Sequence, residues 1–426
     1  MYPHNNPIVS SFEVPNEEND NPVRILQTYL KERHVMWPNN ERQAGLIDLA
    51  KTISTGIEGT AAEHDQNGTF PTEHFDFMRN QGYLRASVPK EQGGEGHGLS
   101  DITLAQYEIG KGCGATAVSV GMHHMVIGSE SEALAWPGKI RDRIFREVVK
   151  DGAIANNIAS EPDLGSPKGG GRPATTLEKT DDGKWVLNGR KIWSTLSPVL
   201  TYAITLAAVE DGTGDIARLA VRMDSTGISI DETWDSMSMR ASGSHDILFS
   251  DVLVTEEAFV SRSNPSTPSS RSPNGAAWFP LLLSAANLGI AHAARDYAVD
   301  FAVNRKPTGS AGTISKIPHV REQVARMESM MLVARRSLFS CAEDWEGNPK
   351  ERKTLLPEVS ITKVRCIETA IAVTDLAMRI VGGVGLERSR PLERYFRDVR
   401  SGIANPPIEA RALEQLASHI LEGHES

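Results

Sequence analysis

Three cysteines in 426 residues, Cys113, Cys341 and Cys366, are too few and too far apart for a disulfide framework or a zinc-binding pattern. Such usage argues for reduced thiols and a cytoplasmic protein. The twelve histidines show no H-E-x-x-H or similar ligand spacing, so no metal site is expected. No apolar run approaches the roughly 20 residues that a membrane span requires. The opening MYPHNNPIVSSFEVPNEENDNP has neither the basic nor the apolar segment of a secretory signal. Positive charge is also in deficit: 45 Lys and Arg against 55 Asp and Glu leave a net charge of -10. That balance weighs against nucleic acid or an anionic membrane as a partner.

What is present is a chain long enough for two or three domains around a large core. Residues 1–40 are polar and rich in Pro and Asn, and read as an irregular arm. From 41 to 152 the pattern is helical: Leu46, Leu49, Ile53 and Ile57 recur at spacings of three and four. The run Thr72–Gln81 repeats it with Phe75 and Met78. A glycine-rich loop, Ser87–Ser100, precedes a helix carrying Leu104 and Ile109, with Ser100 or Asp101 in the N-cap position. From 153 to 260 the runs KWVLNG, YAITLAAV, ARLAVRM, ISIDE and HDILFSDVLV read as strands separated by Asp-Gly and Gly-Thr-Gly turns. A Ser/Pro-rich linker over 261–275 ends this part, and helices return over 276–426. There, Leu282, Ala286, Ile290, Ala294, Tyr297 and Phe301 form an alanine-rich stripe suited to close helix packing.

Two segments of the strand-rich part carry chemistry. Ala159–Ser166, with its Ser-Glu-Pro loop, is followed some twenty residues on by Leu187–Thr195, LNGRKIWST. A β-layer built from them would offer backbone amides, hydroxyls and one indole to a flat ring. That suits a flavin, which needs stacking on one face and hydrogen bonds along its polar edge. An ordinary hairpin with a core Trp is the plainer alternative.

The ordered set of motifs resembles the acyl-CoA dehydrogenase superfamily of flavoproteins. The stretch from Ala62 to Gly96, then SEPDLGS, NGRKIWST, WDSMSMRASGSHDILFSDV, NRKPTG, IVGGVG and PLERYFRDVR are similar to that family's motifs in order and spacing. The resemblance implies an α+β fold: an N-terminal all-α domain, a central β-barrel or sandwich, and a C-terminal four-helix bundle. It implies FAD, held between the subunits of a homotetramer or homodimer. Ser160 and Ser166 fall where the family's loop touches the flavin and its phosphates. Trp193 falls where an indole packs on the ring, and Thr195 where a hydroxyl bonds its edge. Arg305 falls where an Arg of the neighbouring subunit meets the pyrophosphate, and Gly382 and Gly383 where backbone nears the adenosine. The presence of Trp193, Thr195 and Arg305 argues against a flavin-free scaffold protein.

The resemblance breaks at the catalytic base. The family's usual Glu stands eight positions after the Asp of Arg-Asp, here Arg397-Asp398, and that position is Pro406. Proline supplies neither a carboxylate nor an N–H for a substrate carbonyl. The alternative base site, near Phe279, reads WFPLLLSAANLG without an acidic residue. Glu409, three residues past Pro406, is either a base reaching in through a rearranged loop or a solvated carboxylate at a helix start. The insertion Pro167–Thr176 is a second departure. Two activities follow: an acyl-CoA dehydrogenase with an atypical base, served by an electron-transfer flavoprotein, or a monooxygenase of the same fold. The latter works through a C4a-hydroperoxide of the reduced flavin and a separate flavin reductase, and needs no α-proton base. His123 and His124 lie on the helix expected to line the cavity. There they would either manage an oxygen adduct or a substrate proton, or serve as packed helix histidines.

Overall fold

The computed structural model describes residues 37–163, 171–265 and 272–422. Ser166, the arm up to residue 36, most of the Pro167–Thr176 insertion's glycine run and the centre of the Ser/Pro linker lie outside them. The chain divides into two units between Ala44 and Gly45, and apart from the start of the first helix at 41–44 the second contains everything described below. Helices come first: α1 (Glu41–Asn67), α2 (Thr72–Asn80), α3 (Leu99–Gly112), α4 (Gly114–Ala133) and α5 (Gly138–Asp151). Eight strands follow: β1 (Ala155–Ile158), β2 (Thr176–Lys179), β3 (Trp185–Ser194), β4 (Tyr202–Val209), β5 (Ile216–Arg222), β6 (Ile228–Asp231), β7 (His245–Val254) and β8 (Phe259–Ser263). The chain then returns to helices α6 (Trp278–Asn304), α7 (Pro318–Gly347), α8 (Arg352–Val381), α9 (Pro391–Asp398), α10 (Ser401–Ala404) and α11 (Glu409–Glu422).

The strands make one mixed sheet in the order β6-β7-β3-β2-β4-β5-β8, with β1 added parallel to β4. Both β1 and β2 run parallel to β4, β1 along its first half and β2 along its last two residues. This leaves the end of β1 facing the middle of β3. Gly189 bulges β3 at φ +152, and a Cβ there would stand 2.7 Å from the Thr175 Cα. The missing side chain lets β3 and the segment before β2 close on one another. An apolar cluster of Val126, Ile144, Phe145, Val148, Tyr202 and Ile204 joins the first helices to this sheet.

The last helices surround α6, which is apolar on nearly every side and packs against α3, α4, α7 and α8. Its crossing with α3 is close: a Cβ on Gly110 would lie 2.5 Å from the Ala286 carbonyl oxygen, and one on Gly289 2.3 Å from that of Tyr107. Gly110 and Gly289 permit this approach, with Ala286 of the alanine-rich stripe at the crossing. By length and composition α8 is apolar enough to cross a membrane, which no short-run reading of the sequence showed. Its apolar side chains Val359, Val364, Ile367 and Val373 are instead buried in the chain, where it packs on α6 and α7.

The cap of α3 differs from expectation. The helix starts at Leu99 after Gly98 and has no side-chain cap of its own. Glu346, near the end of α7, accepts from the Ser100 N–H at 3.0 Å and from its hydroxyl at 2.6 Å. A carboxylate at a helix N-terminus satisfies free N–H groups and complements the dipole, and here a distant segment provides it.

Candidate functional site

The site is built on the turn after β1. The N–H of Ile192 donates to the Ser160 carbonyl at 2.9 Å, which stitches that turn to β3. Glu161 and Lys191 then meet as an ion pair at 2.5 Å, both essentially excluded from solvent. Glu161 also accepts from the Ala174 N–H at 2.6 Å, the Thr175 N–H at 3.1 Å and the Thr175 hydroxyl at 2.6 Å. Lys191 donates in addition to the Leu206 carbonyl at 2.7 Å. Burial alone would raise the Glu161 pKa, but these donors outweigh it and hold the carboxyl below its ordinary value. Burial draws the Lys191 ammonium down from its own ordinary value. Neither residue stood out in the sequence. A Lys and a Glu inside otherwise apolar strand-and-turn motifs were the available signal, since charges rarely enter a core unpaired.

Beyond Lys191 the β3 ladder slips out of register with β7. Trp193 sits there in the left-handed region at φ +54, and its indole is 60% exposed. For a bulky residue that backbone costs about 1–3 kcal/mol and persists only where its surroundings hold it. The expected alternative of a core Trp is thereby excluded. Next to it, the Thr195 hydroxyl is 2.8 Å from that of Ser244, which is 2.7 Å from that of Ser242. Asn156 donates to the Thr195 carbonyl at 2.8 Å. The Asn156 Oδ1 and Ser194 Oγ atoms nearby are buried without partners. An outward indole beside a row of hydroxyls and unpaired polar atoms fits a flat ring with a hydrogen-bonding edge, as FAD has.

The other expected residues are placed less closely. Arg305 is exposed just past the end of α6 and makes no ion pair among the described residues. Gly382 adopts φ +70 and ψ −150, a region open essentially to glycine alone. A Cβ on Gly382 or Gly383 would touch nothing within 4 Å. Among the described residues, nothing approaches these glycines closely. His123 is buried with Nε2 donating to the Leu84 carbonyl at 2.8 Å and Nδ1 accepting from the Ala155 N–H at 3.2 Å. Burial lowers its pKa to about 4. Both ring nitrogens are consumed by backbone, so His123 has none to offer an oxygen species or a substrate proton. His124 differs: Nδ1 pairs with the Ser87 hydroxyl at 3.0 Å, while Nε2 is buried and unpaired. Glu409 lies more than half exposed, its nearest ion-pair partner being the exposed Arg365 at 3.9 Å. This arrangement matches the solvated helix-start alternative and not a carboxylate turned inward.

The loop holding Pro406 has its own anchor. Lys363 on α8 is buried and donates to the carbonyls of Gly402 at 2.8 Å, Asn405 at 2.6 Å and Pro407 at 3.2 Å. Burial brings its pKa down to about 8. At the other end of this segment the Asp398 carboxylate accepts the Met239 N–H at 2.7 Å, tying α9 to the turn that carries Ser242. Burial raises the Asp398 pKa from 3.8 to about 6, against the smaller opposing effect of that N–H. A carboxyl raised in the folded state stabilises below its unfolded pKa and loses that contribution as pH rises through the folded value. Asp398→Asn, which keeps an acceptor for Met239, is expected to remove a fall in stability between about pH 4 and pH 6. Chemical denaturation across that window checks it; an unchanged pH slope would mean that Asp398 is ionised throughout.

Exposed indole, hydroxyl row and clamped Ser-Glu-Pro turn, on a sheet between two helical parts, fit a flavin-dependent oxidoreductase. The chain belongs to the acyl-CoA dehydrogenase family, whose N-terminal, middle and C-terminal domain models match residues 41–133, 157–252 and 281–404. It is similar to "Putative acyl-CoA dehydrogenase YdbM" of Bacillus subtilis (strain 168), at 39% identity across 90% of this chain and 98% of that protein. It is also similar to L-evernosamine nitrososynthase of Micromonospora sp., at 26% identity across 88% and 90% of the two chains. Among solved structures, KijD3 in complex with FMN and dTDP-3-amino-2,3,6-trideoxy-4-keto-3-methyl-D-glucose aligns with TM-score 0.79 at 26% identity, covering 90% of this chain and 95% of that one. The family's cofactor is FAD.

Proposed function

We propose that this chain is a reduced-flavin-dependent monooxygenase built on the acyl-CoA dehydrogenase fold. The observation that carries the reading is the segment where the family's base would stand. Pro406 has no carboxylate and no N–H, Lys363 pins its loop through three carbonyls, and Glu409 faces outward beside Arg365. An α-proton of an acyl thioester would find no base there. The relatives named nitrososynthases lean the same way.

FAD, when bound and reduced, supplies the chemistry that divides molecular oxygen between substrate and water, and a separate flavin reductase returns it to the reduced form. The protein's part is to bind and shelter. Trp193 would stack on the ring and Ser160 and Thr195 would bond its edge; Ser166, which the family resemblance assigns to the phosphates, lies outside the described residues. Arg305, with Gly382 and Gly383, belongs to the cofactor's pyrophosphate and adenosine end. Because Arg305 has no ion pair, and a Cβ on Gly382 or Gly383 would meet nothing within 4 Å, among the described residues, a second copy would complete the site, in a homodimer or homotetramer. His124 holds the one free ring nitrogen of the histidine pair. The three cysteines are free thiols, a usage that supports a cytoplasmic setting.

A second reading retains one specific support: the relative at 39% identity is named as an acyl-CoA dehydrogenase. In that case an electron-transfer flavoprotein takes the electrons. The two readings separate in stopped-flow absorbance of the FAD-loaded enzyme. The oxygenase is expected to show no bleaching of flavin by a panel of acyl-CoAs without oxygen. Once reduced and mixed with oxygen, it should regain the oxidised spectrum in two phases. Rapid bleaching by any acyl-CoA, followed by single-phase reoxidation, would overturn it.

A further inference from the structure

Side by side, α7 and α8 leave between them a groove of about 420 Å³. Arg326 and Met330 line it from α7, and Ala372, Asp375, Leu376 and Arg379 from α8. Each set follows one helical face, at spacings of three, four and seven. Val333 continues the α7 row and is 65% exposed. Glu368, also exposed, continues the α8 row at its other end. Met330, Ala372 and Leu376 form an apolar floor that is only half-buried.

Within Arg352–Leu386 an 18-residue stretch of mean hydropathy 1.4 is only 39% buried by its own chain. An apolar surface left uncovered in this way marks a contact, and charge argues what makes it. Asp375 is taken by Arg400 at 2.6 Å, and Arg326 by Glu322 at 2.7 Å. Unlike charges then remain at the two ends of the α8 row. At one end, Arg379 has no ion pair among the described residues. At the other, Glu368 and Glu409 share one exposed cation, Arg365, at 2.5 and 3.9 Å. A row with opposite ends complements itself when turned end for end, which is what a two-fold axis does. A lipid surface fits poorly, because charged side chains rim the groove and the chain carries a net charge of -10.

We propose that this groove receives a second copy of the same chain across a two-fold axis. The two α8 helices run antiparallel, Val333 of each copy enters the other's groove, and Arg379 of each meets the Glu368 end of the other. Residues of both copies thereby cover the apolar floor. Because α8 runs without a break into Gly382 and Gly383, the same contact holds the cofactor's adenosine end in place. In that one respect the inference rests on the reading that a second copy completes the FAD site.

Light scattering of the FAD-loaded protein over a dilution series tests it. Val333→Glu changes an exposed side chain, so each copy should fold as before. In a two-fold contact it places two carboxylates among apolar groups, and the dissociation constant is expected to rise about a hundredfold or more. Arg379→Glu and Glu368→Arg should each shift the protein to smaller species, and the two together should restore the larger one. A wild type that is monomeric at micromolar concentration would overturn the inference, as would a size that Val333→Glu leaves unchanged. Charge reversals that fail to rescue one another would overturn it too, and so would a monomer that binds phosphatidylglycerol vesicles through this face. FAD affinity, titrated on the same variants, keeps the two readings apart. Smaller species that bind FAD as tightly as wild type would leave the groove contact standing and count against the shared cofactor site. A size that does not change would count against the groove contact whatever FAD does.

Discussion

Lys191→Met is expected to cost about 3–5 kcal/mol and most of the bound FAD, because it strips the paired cation from a buried carboxylate. Glu161 is held by Lys191, by the Thr175 hydroxyl and by two backbone N–H groups, and Lys191 is its one ion-pair partner among the described residues. Without the ammonium the carboxylate must either stay ionised in an apolar setting or take up a proton. Both outcomes loosen the turn that positions Ser160 and the strand that ends in Trp193. Chemical denaturation and flavin retention after desalting measure the two consequences separately. The paired change Glu161→Gln with Lys191→Met should recover much of the stability, since removing both charges avoids the uncompensated one. The wild-type carboxyl sits below its ordinary value. Its contribution is therefore present above the usual carboxylate range and lost as pH falls through the folded value. Lys191→Met should flatten that acid limb. A variant as stable as wild type, with the acid limb intact, would show that the pair does not hold this turn.

Arg305→Ala is expected to weaken FAD binding tenfold to about a hundredfold, the worth of a charge-assisted contact of roughly 1.5–3 kcal/mol. The fold should not suffer, because the side chain is exposed and has no ion pair among the described residues. A planar guanidinium suits a pyrophosphate better than an ammonium does, so Arg305→Lys should recover only part of the affinity. The loss should also shrink at high salt, where the wild type itself binds less tightly. Fluorescence titration of apoprotein with FAD gives all three numbers. Unchanged affinity in the alanine variant would place the pyrophosphate elsewhere on the chain.

Much of the architecture could be read from the residues. Strands such as YAITLAAV and HDILFSDVLV formed where β-branched runs lie between turn residues, as β4 and β7. The alanine stripe on α6 marked a close crossing, because small side chains leave room for another backbone. What Pro406 lacks was equally legible, since proline offers neither carboxylate nor N–H whatever surrounds it. The cap of α3 was not: Ser100 looked like a local cap, but a carboxylate from α7 takes its N–H. The two histidines could not be told apart by position either. Neighbours in the chain, they face different elements, so that His123 is consumed by the backbone of Leu84 and Ala155 while His124 keeps a nitrogen free.

The sequence by itself determined which segments become helices and strands, the order of the three parts, and the family with its FAD. Those follow from periodicity, residue shape and short motifs, which act within a few positions along the chain. Only the tertiary structure decided that Trp193 points out instead of in, that Glu161 finds Lys191, that Lys363 fastens the Pro406 loop, and that Glu409 turns away from it. Each of these depends on which groups from distant segments share a desolvated space. There a charge must find a partner or move to water, and the identity of that partner is a property of the packed chain.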